Sequence, residues 1–208
     1  MTASGTPDDA DLIRSNIARV RERMKSACDR AGRDPDSVRL LLATKTVDPD
    51  RIRIAIEAGE KLVAENRVQE VKPKFEALED LDYERHFIGH LQSNKINALL
   101  PYVSCIQTVD RLSLARKIHN RLERDGEARE ILVQVNTSGE QSKAGLDPDE
   151  VEPFIRTVAS LETLKIRGLM TIGLNAEPEE ARGSLASLRQ IADRIREEAI
   201  EGVEMAEL

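Results

Sequence analysis

Val38-Arg39-Leu40-Leu41-Leu42-Ala43-Thr44-Lys45 carries the clearest fold signal in this chain. Its near-continuous apolar run is the signature of a strand buried on both faces, as in a parallel sheet. It closes on a lysine. Asp48-Pro49 follows and can cap a helix over residues 50–58 that stops at Gly59. Upstream, Leu12, Ile13, Ile17, Val20, Met24 and Ala27 recur near the helical period, with charges between them. That predicts a helix over residues 8–31, ended by Gly32 and Pro35.

The same alternation repeats downstream. Strands are expected at residues 61–65, 86–91, 103–109, 130–136, 165–172 and 203–208. Helices are expected at 68–78, 94–100, 111–124, 149–160 and 179–199, with Asp125-Gly126 as a turn. Strands and helices that alternate over short connections argue for an α/β fold with a parallel sheet and helices outside. An open doubly wound sheet and a closed (β/α)8 barrel both satisfy this pattern, and periodicity does not choose between them. The strand count favours a barrel, and 208 residues stand at the lower end of the size for one. No internal repeat or domain boundary shows. The expectation is a single domain over residues 1–208, with residues 1–10 as a flexible tail.

Composition narrows the function. The net charge is -7, which argues against non-specific nucleic-acid binding, since that rests on neutralising phosphates. Aromatic residues make up 2% and tryptophan is absent, so base-stacking platforms are not expected. Cys28 and Cys105 form no CxxC pair, which disfavours a disulfide scaffold or a zinc site and points to a reducing compartment. No apolar run approaches the roughly 18 residues of a membrane span, and the N-terminus lacks a signal peptide's basic start and apolar stretch. A cytoplasmic protein with no membrane contact is expected.

In parallel α/β folds, ligands bind at the C-terminal ends of the strands. Lys45 stands at such an end. Partial burial there would favour a neutral amine able to attack an aldehyde, whereas a lysine snorkelling to solvent is the plain alternative. Asn66 and Asn94 follow the next two strands and offer amide groups, or serve simply as loop caps. Met170 could pack on a flat ring or belong to the core. His86 and His90 are expected on one face of a strand, without metal-site spacing. His119 is expected on a solvated helix face. No GxGxxG, Walker motif or nucleophile elbow is found.

Several segments, taken in order, resemble the pyridoxal phosphate homeostasis protein family. They are Leu42-Ala43-Thr44-Lys45-Thr46, Ala64-Glu65-Asn66-Arg67-Val68-Gln69-Glu70 and His86-Phe87-Ile88-Gly89-His90-Leu91-Gln92-Ser93-Asn94-Lys95. Gln107-Thr108-Val109-Asp110, Val133-Gln134-Val135-Asn136, Ser142-Lys143-Ala144-Gly145 and Arg167-Gly168-Leu169-Met170-Thr171 continue the series. The resemblance implies a (β/α)8 TIM barrel of the alanine racemase N-terminal type. It implies pyridoxal 5'-phosphate (PLP) held as an internal aldimine on Lys45, with Asn66 and Met170 near the cofactor. It implies a non-catalytic protein that carries or buffers PLP and supports vitamin B6 and amino-acid/keto-acid balance, with PLP-dependent apo-enzymes as recipients. A monomer is expected. His90 stands where the family has Pro or another variable residue. The family pattern continues past Glu207-Leu208 into a Ser-Met-Gly-Met-Ser-like turn and an Arg-Ile-Gly-like segment that supply phosphate ligands. This sequence is therefore expected to lack the last strand and to hold PLP more weakly.

Two other classes compete. A PLP-dependent amino-acid racemase needs a Lys and an opposed Tyr delivered by a second domain. Tyr83 and Tyr102 precede the third and fourth strands, at the wrong ends. A binding module indifferent to PLP is the other alternative.

Overall fold

The apolar stripe of residues 8–31 folds into α1 (Pro7–Ala31). The computed structural model describes residues 7–140, 143–173 and 176–208. Ser142 and residues 1–6 lie outside the described residues. The chain divides into two units, Met1–His86 and Phe87–Leu208.

In the first unit α1 is followed by β1 (Leu42–Ala43), α2 (Pro49–Glu57), β2 (Leu62–Glu65) and α3 (Val68–Ala77). β1 and β2 run parallel, with Leu42 beside Val63 and Ala43 beside Ala64. Ile52, Ile56, Val63 and Leu78 form a core that Val47, Leu81 and Tyr83 complete. Arg21 of α1 donates from Nε and Nη2 to the two carboxylate oxygens of Glu60, at 2.8 and 2.7 Å. Glu60 is buried, so this fork supplies the counter-charge that a buried carboxylate needs.

Two strands differ most from expectation, the others by one or two residues at an end. β1 has two residues rather than the seven of 38–44, and it is half-buried to exposed rather than covered on both faces. Only Leu42 and Ala43 stand in register with β2, beside Val63 and Ala64, so the regular ladder is confined to those two residues. The third strand, β3, spans Glu84–Phe87 rather than 86–91. Its start is set by the Glu84 N–H, which donates to the Lys61 carbonyl at 2.7 Å.

The second unit continues the alternation through α4 (Ile96–Leu99), β4 (Cys105–Val109), α5 (Leu112–Asp125), β5 (Arg129–Gln134), α6 (Val151–Ala159), β6 (Leu164–Met170), α7 (Pro178–Glu197) and β7 (Val203–Glu207). Successive strands from β4 to β7 pair in parallel and in chain order. On α5, Leu114, Ile118 and Leu122 recur every fourth residue and are fully buried. Gly126 ends that helix at φ 68°, and Glu127 N–H closes the cap on the Leu122 carbonyl at 3.0 Å. This left-handed position suits glycine, which carries no Cβ. Gly168 of β6 faces Glu207 of β7, and a Cβ there would stand 1.9 Å from the Glu207 carbonyl oxygen. Among the described residues no helix is long and apolar enough to cross a membrane, and no group of three His, Cys, Asp or Glu could hold a metal ion.

Candidate cofactor site at the end of the first strand

Past Ala43 the ladder runs one residue further, because the Thr44 N–H donates to the Ala64 carbonyl at 2.9 Å. The chain then turns. The Val47 N–H returns to the Thr44 carbonyl at 3.0 Å, which leaves Lys45 and Thr46 as the central residues of the turn. Thr46 has φ 62°. A left-handed conformation costs a β-branched residue about 1–2 kcal/mol, so it persists where neighbours hold it. The Lys45 side chain is exposed.

Behind this turn lies a buried ionic cluster. The Lys74 ammonium of α3 has three protons and three acceptors: the Thr44 carbonyl at 2.8 Å, Glu65 Oε1 at 2.7 Å and Glu70 Oε2 at 2.7 Å. Glu70 Oε2 also accepts the Thr46 N–H at 3.0 Å. Thr44 Oγ1 lies 2.6 Å from Glu65 Oε1 and 3.2 Å from the Ala64 carbonyl. The hydrogen bond from Lys74, and then that from the Thr46 amide, hold the Glu70 carboxyl below the usual carboxylate range. Lys74 and Glu65 are buried, and Glu65 Oε2 has no partner among the described residues.

Asn66 directly follows β2, half-buried, and its Oδ1 is a buried acceptor without a partner among the described residues. Lys45 and Asn66 are thus brought to the C-terminal ends of neighbouring strands in one unit. Met170 belongs to the second unit and is the last residue of β6. It is half-buried, and its carbonyl accepts the Val135 N–H at 2.9 Å. Nearby, Lys143 Nζ donates to the Gly173 carbonyl at 3.0 Å, and Asn136 Nδ2 donates to the Glu140 carbonyl at 2.9 Å. The first of these bonds ties the loops after β5 and β6 together, and the second closes the β5 loop on itself.

The remaining candidates resolve differently. Asn94 lies exposed in a single 3-10 turn, Ser93–Lys95. His86 and His90 do not share a strand face: His86 is buried on β3, while His90 is exposed beyond its end. Burial lowers the His86 pKa to about 4. His119 is not solvated as expected, because its Nδ1 meets Thr163 Oγ1 at 2.8 Å. Tyr83 and Tyr102 do precede β3 and β4. Burial pushes the Tyr83 phenol up to about 12, which makes it a poor proton acceptor or donor near neutrality. The residues that sequence reasoning missed are Glu65, Glu70 and Lys74. The signal available was the four-residue spacing of Glu70 and Lys74 on a helix.

The alanine racemase N-terminal domain family matches residues 9–206. The pyridoxal phosphate homeostasis protein of Aquifex aeolicus is 41% identical over 183 residues, covering 88% of this chain and 80% of that protein. The chain belongs to the pyridoxal phosphate homeostasis protein family. Within that family, the protein of Escherichia coli K12 is 36% identical over 163 residues, covering 77% of this chain and 70% of its own length. A solved protein from Bifidobacterium adolescentis superposes with a TM-score of 0.91 at 37% identity, covering 95% of this chain and 84% of that one. PipY of Synechococcus elongatus PCC7942, solved with PLP bound, gives a TM-score of 0.74 at 29% identity, covering 88% and 85%. Alanine racemase of Clostridium difficile 630 shares the fold alone, with a TM-score of 0.60 at 16% identity over 72% of this chain and 37% of that enzyme. The α/β fold expected from the sequence is therefore that of the alanine racemase N-terminal domain.

Proposed function

We propose that this homeostasis-family protein binds PLP with Lys45 as its point of covalent attachment, and that it carries or buffers the cofactor without turning over a substrate. When bound, PLP supplies an aldehyde that a primary amine can take up with loss of water. The observation that carries the reading is the place of Lys45 at the exit of β1, in a family whose relative PipY was solved with PLP, although its side chain is exposed and not partly buried.

The residues present fit the group. Lys45 offers an accessible amine on a backbone fixed from behind, and Asn66 offers a buried acceptor that a ligand hydroxyl would satisfy. Met170, which the family resemblance implies near PLP, is the last residue of β6 in the second unit and carries a polarizable side chain. Lys45 would have to lose its proton to bond to the aldehyde carbon, and the open solvent around it provides the acceptor. The net charge of -7 fits a monomer working in the cytoplasm, with PLP-dependent apo-enzymes as recipients. The racemase alternative finds no support here, since neither tyrosine stands at the C-terminal end of a strand and the likeness to racemases is one of fold.

The test is a visible spectrum of the protein with added PLP, followed by borohydride reduction and peptide mapping. A reduced adduct on Lys45, absent from Lys45→Ala, is expected. A parent protein that gains absorbance but carries its adduct elsewhere overturns the assignment.

A further inference from the structure

The peptide groups on either side of Lys45 are both held by one helix. Lys74 donates to the Thr44 carbonyl, in the peptide that carries the Lys45 N–H, at 2.8 Å. Glu70 accepts the N–H of Thr46, in the peptide that carries the Lys45 carbonyl, at 3.0 Å. The two side chains stand one turn apart on α3 and bind each other at 2.7 Å. Thr44 is further fixed by its own bonds to Glu65 Oε1 and the Ala64 carbonyl. The left-handed Thr46 needs such a hold, because a non-glycine residue released from it relaxes to a commoner conformation. β1 itself contributes little, since it has two residues.

We propose that Glu70 and Lys74 are positioning residues for the Lys45 amine: their ion pair clamps the peptides on both sides of Lys45 and sets the direction in which that amine leaves the turn. This rests on the reading of Lys45 as the group that bonds to an aldehyde. Neither residue touches the aldehyde. A neutral amide oxygen at position 70 can still accept from both the Thr46 N–H and the Lys74 ammonium, so Glu70→Gln should preserve the clamp.

The experiment compares the parent with Glu70→Ala and Glu70→Gln, each with and without PLP. Without PLP, amide hydrogen exchange at Thr46 should rise about tenfold in Glu70→Ala, the scale of one lost hydrogen bond. Glu70→Gln should stay within about threefold of the parent, because its amide oxygen still accepts from Thr46. With PLP, and separately with pyridoxal lacking the phosphate, borohydride-trapped Lys45 adduct should form about tenfold more slowly in Glu70→Ala and recover in Glu70→Gln. Lys74→Met can fail to fold, so Lys74→Met/Glu65→Leu serves as its folded counterpart and should also slow the adduct. A parent with no Lys45 adduct overturns the aldehyde reading itself. A parent with adduct, beside a Glu70→Ala protein that matches it in exchange and in adduct rate, overturns the clamp alone. Equal impairment of Glu70→Ala and Glu70→Gln, tracking their loss of thermal stability, overturns it too.

Discussion

Replacing Gly168 by alanine tests the packing of β6 against β7 with one methyl group. The added Cβ would lie 1.9 Å from the Glu207 carbonyl oxygen, 2.7 Å from its carbonyl carbon and 3.0 Å from its nitrogen. All three are backbone atoms, so no rotamer change relieves the contact. Real Cβ atoms essentially never come closer than 3.0 Å, so the strands must part by more than 1 Å at a point where they are hydrogen-bonded. Overpacking of this kind costs about 1–3 kcal/mol, and each ladder bond stretched out of range adds about 1 kcal/mol. A loss near 3 kcal/mol is expected, or roughly 6–12 °C in Tm for a chain of this size. Gly183 provides the control. It lies inside α7, exposed, with nothing within 4 Å of the Cβ an alanine would add. Gly183→Ala should stabilise by about 0.5–1 kcal/mol, because alanine favours the helix and restricts the unfolded chain. Urea unfolding measures both changes. A Gly168→Ala protein within 0.5 kcal/mol of the parent, or two shifts of the same sign, would refute the reasoning.

Other variants follow from the same contacts. The His86 ring takes its proton near pH 6.5 in the unfolded chain and at about 4 when folded, because burial disfavours the cation. The unfolded state therefore binds the extra proton between these values, and roughly 3 kcal/mol of stability should be lost as pH falls from 6.5 to 4. His86→Gln should flatten that part of the profile, and an identical profile would contradict the assignment. Lys74→Met leaves Glu65 buried without its cation and should cost about 3–5 kcal/mol, most of it regained in Lys74→Met/Glu65→Leu. A double variant no more stable than the single one in chemical denaturation speaks against the pairing. Tyr83→Phe removes a buried hydroxyl that has no partner among the described residues. It should raise the unfolding free energy by up to about 1 kcal/mol, and a clear loss would reveal a missed hydrogen bond.

Local periodicity made most of the architecture legible. The i, i+4 apolar residues of α5 and the Gly126 stop are local signals, and both are met in the structure. The location of Lys45 and Asn66 at strand ends was legible for the same reason, since each directly follows a short apolar run. What was not legible depends on a partner distant in sequence. The length of β1 depends on its register with β2, whose paired residues lie twenty-one positions further along the chain. His119 looked solvated because Thr163, its partner, lies 44 residues downstream. Lys74 reads as one more helix charge until Thr44, 30 residues earlier, brings its carbonyl to the ammonium.

The two-residue β1 has a consequence for how sequence changes will map onto performance. A strand so short lends its outgoing lysine little rigidity, so the stiffness at Lys45 is borrowed from a helix 25–29 residues further along the chain. Leu42 and Ala43 can therefore drift with modest effect, provided they stay apolar and small enough for the ladder. Changes on α3, which looks like outer scaffolding, will instead register as defects at the lysine. A screen that scores damage by nearness in sequence to Lys45 would misplace the fragile part of this protein by two secondary-structure elements.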